Sequence, residues 1–100
     1  MLVRVGDAKD VVNNGMRVFD VAGTDVNVAS IGGHLHAFDD KCTHMGCSLA
    51  RGTLEGSTVI CPCHGSQFDV TSGAVLRGPA RRPVRSRLVR VEGDDLLVDS

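Results

Sequence analysis

Tyrosine and tryptophan are missing from this chain, and phenylalanine occurs only at Phe19, Phe38 and Phe68. A core without large rings must rest on aliphatic side chains. Valine leads them, which favours strands over helices because β-branched side chains fit a pleated surface. The scarcity of rings also argues against nucleic acid as a partner. Single-strand binders interleave stacking aromatics with basic residues, whereas this chain has a net charge of −1 and no ring in its arginine-rich stretch. No apolar run approaches the ~18 residues of a membrane-spanning helix. The opening "MLVRVGDAKD" lacks the apolar core of ~7–15 residues that marks an export signal, and shows no twin-arginine leader. The expectation is a cytoplasmic protein without membrane insertion. Helical periodicity is absent too, apart from a short turn near Lys9–Val12.

What is present reads as short strands separated by turn signals. One hundred residues are enough for one domain, 1–100, and too few for two. "MRVFDV" (16–21) and "DVNVASI" (25–31) are joined across Gly23 and Thr24, and Gly32-Gly33 separates two further strand-like runs. "SRLVRVEGDDLLVDS" repeats the pattern around a turn at Glu92–Asp95. Between these halves lies a glycine-punctuated segment, about 39–83, in which only "STVIC" (57–61) reads clearly as a strand. The predicted fold is all-β: a small antiparallel β-sandwich with an inserted loop-rich subdomain. The strands of that insertion are too short and glycine-rich to be ordered by core burial alone, so it needs a staple.

Charge is unevenly spread. Six of the eleven basic residues, Arg77, Arg81, Arg82, Arg85, Arg87 and Arg90, fall within fourteen positions, and Glu92, Asp94, Asp95 and Asp99 follow them. Two readings stand side by side: a solvated face, or docking on an acidic partner.

All four cysteines and two of the four histidines lie in "CTHMGCSLA" (42–50) and "CPCHGSQFD" (61–69). Disulfides alone would leave Cys42-x-His44 and Cys61-x-x-His64 unexplained, and are uncommon in cytosolic proteins. Zinc accepts two Cys and two His, or four Cys. The familiar finger order, however, is Cys, Cys, His, His at helical spacing, and here Cys and His alternate on irregular loops. A plant-type ferredoxin loop would need a third cysteine where Ala50 stands. There remain two loops that each offer one thiolate and one imidazole, a donor set suited to a [2Fe–2S] cluster with two Cys on one iron and two His on the other. His34 and His36, two apart on one strand face with no third ligand evident, read as surface or packing residues.

The two loops resemble the C-x-H and C-x-x-H boxes of the Rieske iron–sulfur family, in the variant C-T-H-x-G-C and C-P-C-H-G-S. The resemblance is close over 42–69, and "GPARRPV" (78–84) is similar to the family's proline loop, which covers the cluster from a third side. It implies one Rieske-type [2Fe–2S] cluster per chain, with Cys42, His44, Cys61 and His64 as ligands. It also implies a disulfide between Cys47 and Cys63, which would supply the staple. Gly46, Gly65 and Pro79 would lie around the cluster, and Met45 would shield it from water. Ser66 matches a serine whose hydroxyl donates to a cluster sulfur. Phe68 stands where the high-potential respiratory members have a tyrosine that bonds a ligand thiolate.

Two ferric ions, two sulfides, two thiolates and neutral imidazoles sum to zero charge, so an added electron meets less repulsion than in a four-thiolate cluster. With Ser66 present and a tyrosine absent, the expected potential lies below that of quinol-oxidising members. The family's catalytic oxygenases need a further iron domain for which this chain has no length, and its respiratory subunits add a membrane anchor. The implied role is a free-standing Rieske-type ferredoxin, an electron carrier and not itself an enzyme. It would pass single electrons from a reductase to a terminal enzyme, a non-heme iron oxygenase in the first instance, docking at the tip around His44 and His64. No small-molecule substrate site is expected. The alternatives are a subunit of a respiratory or other redox complex and a zinc-stabilised interaction module.

Overall fold

Gly32 and Gly33 take φ of 56° and 84°, the left-handed pair that a two-residue hairpin turn requires. They join β3 (Thr24–Ile31) to β4 (His34–Asp39) in unbroken antiparallel register from Val26↔Asp39 to Ile31↔His34. The preceding hairpin turns one residue earlier than expected. Ala22 (φ 52°) and Gly23 (φ 87°) form the turn, and Thr24 already belongs to β3. A left-handed alanine costs about 1 kcal/mol, offset here by the Gly23 N–H donating to Asp20 Oδ1 at 2.8 Å.

The computed structural model describes all 100 residues and folds into three antiparallel sheets. The central one has the order β2-β3-β4-β9, with β2 at Met16–Val21 and β9 at Ser86–Arg87. The second joins β1 (Leu2–Asp7), β11 (Asp95–Asp99) and β10 (Val89–Glu92) in the order β1-β11-β10. The short turn expected near Lys9–Val12 is a 3-10 turn over Ala8–Asp10, capped by Asp7 Oδ1, which accepts from the Lys9 N–H at 2.9 Å. The all-β antiparallel expectation holds.

The insertion corrects the sequence reading in one respect: it has its own four-stranded sheet. β5 (Thr53–Glu55), β6 (Thr58–Ile60), β7 (Gln67–Asp69) and β8 (Val75–Arg77) pair in chain order. Strands of three residues carry too little alternation to be read singly, and become strands only through their neighbours.

Burial shows how the sheets stack. β3 is buried from Val26 to Ser30 without alternation, because both its faces are covered. Val26 and Val28 join Phe19, Ala37, Leu96 and Val98 in one core, against the β1-β11-β10 sheet. Ala29 and Phe38 join Leu49, Val59, Phe68 and Val70 in the other, against the inserted sheet. That second core also contains Cys42 and Cys61, so the candidate site is built on the layer added by the insertion.

One polar anchor joins the two framework sheets, and a second ties the insertion to them. Arg87, with a nearly buried side chain, donates from Nε to Asp39 at 2.5 Å and from Nη1 to the Asp99 carbonyl at 3.0 Å. Asp40, also buried, accepts from Asn27 Nδ2 at 3.0 Å, from the Ala50 N–H at 2.9 Å and from the Ser48 hydroxyl. It therefore ties the end of β4 to the far side of the first cysteine loop.

The Asp69–Gly73 turn between β7 and β8 yields a pH prediction. Hydrogen bonds from the Thr71 hydroxyl and N–H hold the Asp69 carboxyl below its ordinary value. A lowered folded-state pKa stabilises above the ordinary carboxylate value of ~3.9 and loses that contribution as pH falls through the folded value. Thr71→Ala is therefore expected to be less stable than wild type at pH ~6, with the difference shrinking as pH drops below ~4. Paired urea titrations at the two pH values check it.

Candidate metal centre

The two cysteine loops share one backbone design. In each, the cysteine N–H donates to the carbonyl five residues on: Cys42 to Cys47 at 2.9 Å and Cys61 to Ser66 at 2.8 Å. In each, a glycine four residues on donates back: Gly46 to the Cys42 carbonyl at 2.8 Å and Gly65 to the Cys61 carbonyl at 3.2 Å. Those glycines have φ of 76° and 77°, a left-handed bend that other residues adopt only at a cost. The loops also close over equivalent pairs, Lys41↔Ser48 and Ile60↔Gln67. Two copies of one turn thus face each other, one after β4 and one between β6 and β7.

Within that frame the side chains sort by position. Cys42 and Cys61 open the loops, and both are free and buried. Cys47 and Cys63 are disulfide-bonded with Cα atoms 6.5 Å apart, as the resemblance implies. The sulfurs of Cys47, Cys61 and Cys63 lie within 4.8 Å of one another. Two of these three are committed to the bridge, so they form no metal site of their own. His44 and His64 are exposed, their ring centroids 5.1 Å apart and edge-on at 78°. Two imidazoles on one tetrahedral metal would have centroids roughly 5 Å apart, given metal–nitrogen bonds of ~2.1 Å.

The thiols are prepared for a metal. Burial pushes the Cys61 thiol above its ordinary value, the N–H groups of Cys63 and His64 directed at its sulfur pull it back, and the hydrogen-bonded Cys42 thiol adds to the rise. The Cys61 thiol is thus disposed to keep its proton while no metal is bound, and a bound cation would displace it. The same N–H groups would then stabilise the thiolate.

Around this set, Ser66 is fully buried and its oxygen accepts the Ala80 N–H at 2.9 Å, which leaves the hydroxyl proton free to donate elsewhere. Phe68 is fully buried in the same core as Cys42 and Cys61. The Gly78–Val84 loop is held over the site from both sides, by Ala80 to Ser66 and by the Thr43 hydroxyl donating to the Arg82 carbonyl at 2.6 Å. Pro79 is exposed, and Ala80 makes the inward contact. Met45, next to His44 in the first loop, is 64% exposed. His34 is exposed and His36 half-buried, the latter near enough to Asp69 to help lower its pKa.

Residues 1–88 match the Rieske [2Fe–2S] domain family. This chain belongs to the Rieske [2Fe–2S] family. The Rieske chain is 34% identical over 98 residues to the ferredoxin component of biphenyl 2,3-dioxygenase from Rhodococcus jostii RHA1, covering 98% of this chain and 92% of that one. It superposes on the ferredoxin of carbazole 1,9a-dioxygenase from Nocardioides aromaticivorans with a TM-score of 0.91 and 33% identity, covering 98% and 96% of the two chains. It is also similar to the ferredoxin in a complex of reduced oxygenase and oxidised ferredoxin of carbazole 1,9a-dioxygenase, at TM-score 0.90, 31% identity and coverage of 97% and 91%. It is an electron carrier of the ferredoxin type. No helix is long and apolar enough to cross a membrane.

The likeness extends well beyond residues 42–69, because the framework strands carry it as well. Three site residues escaped the sequence reading: Asp40, Thr43 and Ala80. Ala80 acts through its backbone, which no side-chain pattern reports. The shared spacing Cys-x₃-Gly in both loops was legible and would have revealed their common turn.

The hydroxyl at Ser66 is available for a donor role, so Ser66→Ala is expected to lower the reduction potential. A hydrogen bond favouring the more negative state by about 1 kcal/mol corresponds to ~40 mV for one electron. Voltammetry of the paired proteins measures this shift.

Proposed function

We propose that this chain binds one [2Fe–2S] cluster, with Cys42 and Cys61 holding one iron and His44 and His64 the other, and shuttles single electrons from a reductase to a terminal oxygenase. The observation that carries this reading is the opposition of the two matched loops, which sets two buried free thiols beneath two exposed imidazoles. When bound, the cluster supplies one reversible electron at a site that is charge-neutral when oxidised.

The protein's part is to hold, orient and shield. The loop N–H groups stabilise thiolate at Cys61, and the disulfide and the Gly78–Val84 loop keep the two boxes in register. Leu49, Val59, Phe68 and Val70 exclude water from the inner side, while the two imidazoles form the exit toward a partner. A partner docking there would be separated from the metal by little more than one ring. The oxygenase–ferredoxin complex of carbazole 1,9a-dioxygenase supports an oxygenase as recipient. The reading treats residues 1–100 as one domain working in the cytoplasm.

The test is film voltammetry of the purified protein at pH ~7. A reversible one-electron wave in the lower part of the family's range, roughly −150 to +300 mV, is expected. A wave well above zero would mean a quinol-linked role, and no wave in folded, metal-loaded protein would mean zinc. In the same experiment, Phe68→Tyr should titrate about 40 mV higher than wild type if its added hydroxyl reaches a ligand sulfur.

A further inference from the structure

The ion pairs of this protein are segregated. The paired cations are Arg4 with Asp95, Lys9 with Asp94, Arg87 with Asp39, Arg90 with Glu92, and the N-terminal amine with Asp99. All of these cations belong to the framework sheets and their turns. In the cluster segment the pattern reverses: Lys41, Arg51, Arg77, Arg81, Arg82 and Arg85 are all exposed, and none has a carboxylate partner. Residues 41–85 hold those six cations against Glu55 and Asp69, a formal +4. The rest of the chain holds five cations against ten carboxylates, a formal −5. A molecule of net charge −1 is therefore strongly polarised, with its positive pole on the segment that carries His44 and His64.

Placement sharpens this. Arg81 and Arg82 line a cleft of about 390 Å³ with Thr43 and His44. Lys41, Arg82 and Arg85 line a second, beside Cys42 and Gly46. Arg51 lies beside the Cys47–Cys63 bridge in a third. The carboxylates nearest these clefts are Asp25, Asp39 and Asp40. Asp39 is engaged by Arg87 and Asp40 is buried, which leaves Asp25 as the exposed acid lining these clefts; Asp99, within electrostatic reach of Arg85, is already paired with the N-terminal amine.

We infer that the histidine end docks on acidic protein surfaces, with Lys41, Arg51, Arg81, Arg82 and Arg85 as a cationic rim around an uncharged centre of His44, Met45, Pro62 and His64. The inference rests on the electron-carrier reading and adds the charge of the partner's face. A rim of like charge with no internal counter-ions steers an oppositely charged surface into encounter, and is screened by salt. The uncharged centre excludes water once contact is made. A polynucleotide is disfavoured because Phe19, Phe38 and Phe68 are all buried, so no Phe, Tyr or Trp ring is exposed for bases to stack on. One rim serving both electron donor and acceptor makes their binding mutually exclusive.

The test uses the metal-loaded protein and two small redox couples. The reduced protein is oxidised by ferricyanide, a trianion, or by tris(phenanthroline)cobalt(III), a trication, across a range of ionic strength. The rim predicts that the ferricyanide rate falls about threefold between ~0.02 and ~0.2 M salt while the cobalt rate rises. If the net charge of −1 governed, the ferricyanide rate would rise with salt, and that result overturns the proposal. Arg82→Glu should flatten or reverse the ferricyanide slope, and Lys9→Glu, an equal change of net charge outside the segment, should leave it; equal effects of the two also overturn it. A second readout is independent of electron transfer: fluorescence anisotropy of a labelled ten-residue polyglutamate peptide, whose binding Arg82→Glu should weaken severalfold and Lys9→Glu should not. Peptide binding with that pattern but no oxidation by either couple would sink the carrier reading and leave the acidic-docking rim standing.

Discussion

Cys61→Ser is expected to give a folded, colourless protein holding less than about a tenth of the wild-type iron. The serine oxygen nearly matches the thiol in size, so the hydrophobic layer around Cys42, Leu49 and Phe68 keeps its packing. What is lost is a soft, ionisable donor: a hydroxyl does not deprotonate under conditions where the Cys61 thiol, supported by the N–H groups of Cys63 and His64, can be displaced onto a metal. The informative comparison is with Cys63→Ser, two residues away. It should keep its iron and lose stability instead, because Cys63 belongs to the bridge with Cys47. Iron content, visible absorption and far-ultraviolet circular dichroism of the two variants decide the matter. If Cys63→Ser loses iron and Cys61→Ser keeps it, the roles given to the two cysteines are exchanged.

The second large effect belongs to the disulfide. The double variant Cys47→Ser/Cys63→Ser opens a covalent loop spanning a sequence separation of 16 residues, worth about 3 kcal/mol in the chain-entropy model. For a chain of 100 residues that corresponds to a fall in Tm of about 15 °C. The structure explains why so much rests on one bond. The insertion's four strands have three residues each, and the two cysteine loops come from different sheets. Within each loop the backbone hydrogen bonds are satisfied internally, so they give order to the loop but not to the pair. The bridge supplies that pairing. A double variant melting within ~3 °C of wild type would assign the pairing to the metal and to the Asp40 and Thr43 anchors instead.

The separate roles of those anchors show where sequence reading stops. The hairpins at Gly32-Gly33 and Gly93-Asp94 were legible because a turn's chemistry lies within two residues. The boxes were legible for a similar reason: ligand and glycine spacing is local, and the donor types announce the metal. β5, β7 and β8 were not, because a three-residue strand has no measurable period and exists only through partners elsewhere in the chain. β3 even departs from the alternation of a half-exposed strand, since the inserted sheet covers the face that would otherwise meet solvent.

By itself, the sequence determined an all-β chain, the four donors in two loops, the membership those loops indicate, and an excess of arginine late in the chain. Only the tertiary structure decided which arginines are free. Arg87 and Arg90 sit in the same run as Arg81 and Arg82, yet the first is nearly buried against Asp39 and the second pairs with Glu92, while Arg81 and Arg82 stand beside His44 without a partner. It also decided that the Ala80 N–H meets Ser66 and that Asp40 gathers Asn27, Ser48 and Ala50. The physical reason is common to all three. A turn or a metal box is a short-range arrangement written in adjacent residues, whereas an ion pair or a buried hydrogen bond depends on which distant segment the packed sheets bring within ~3 Å.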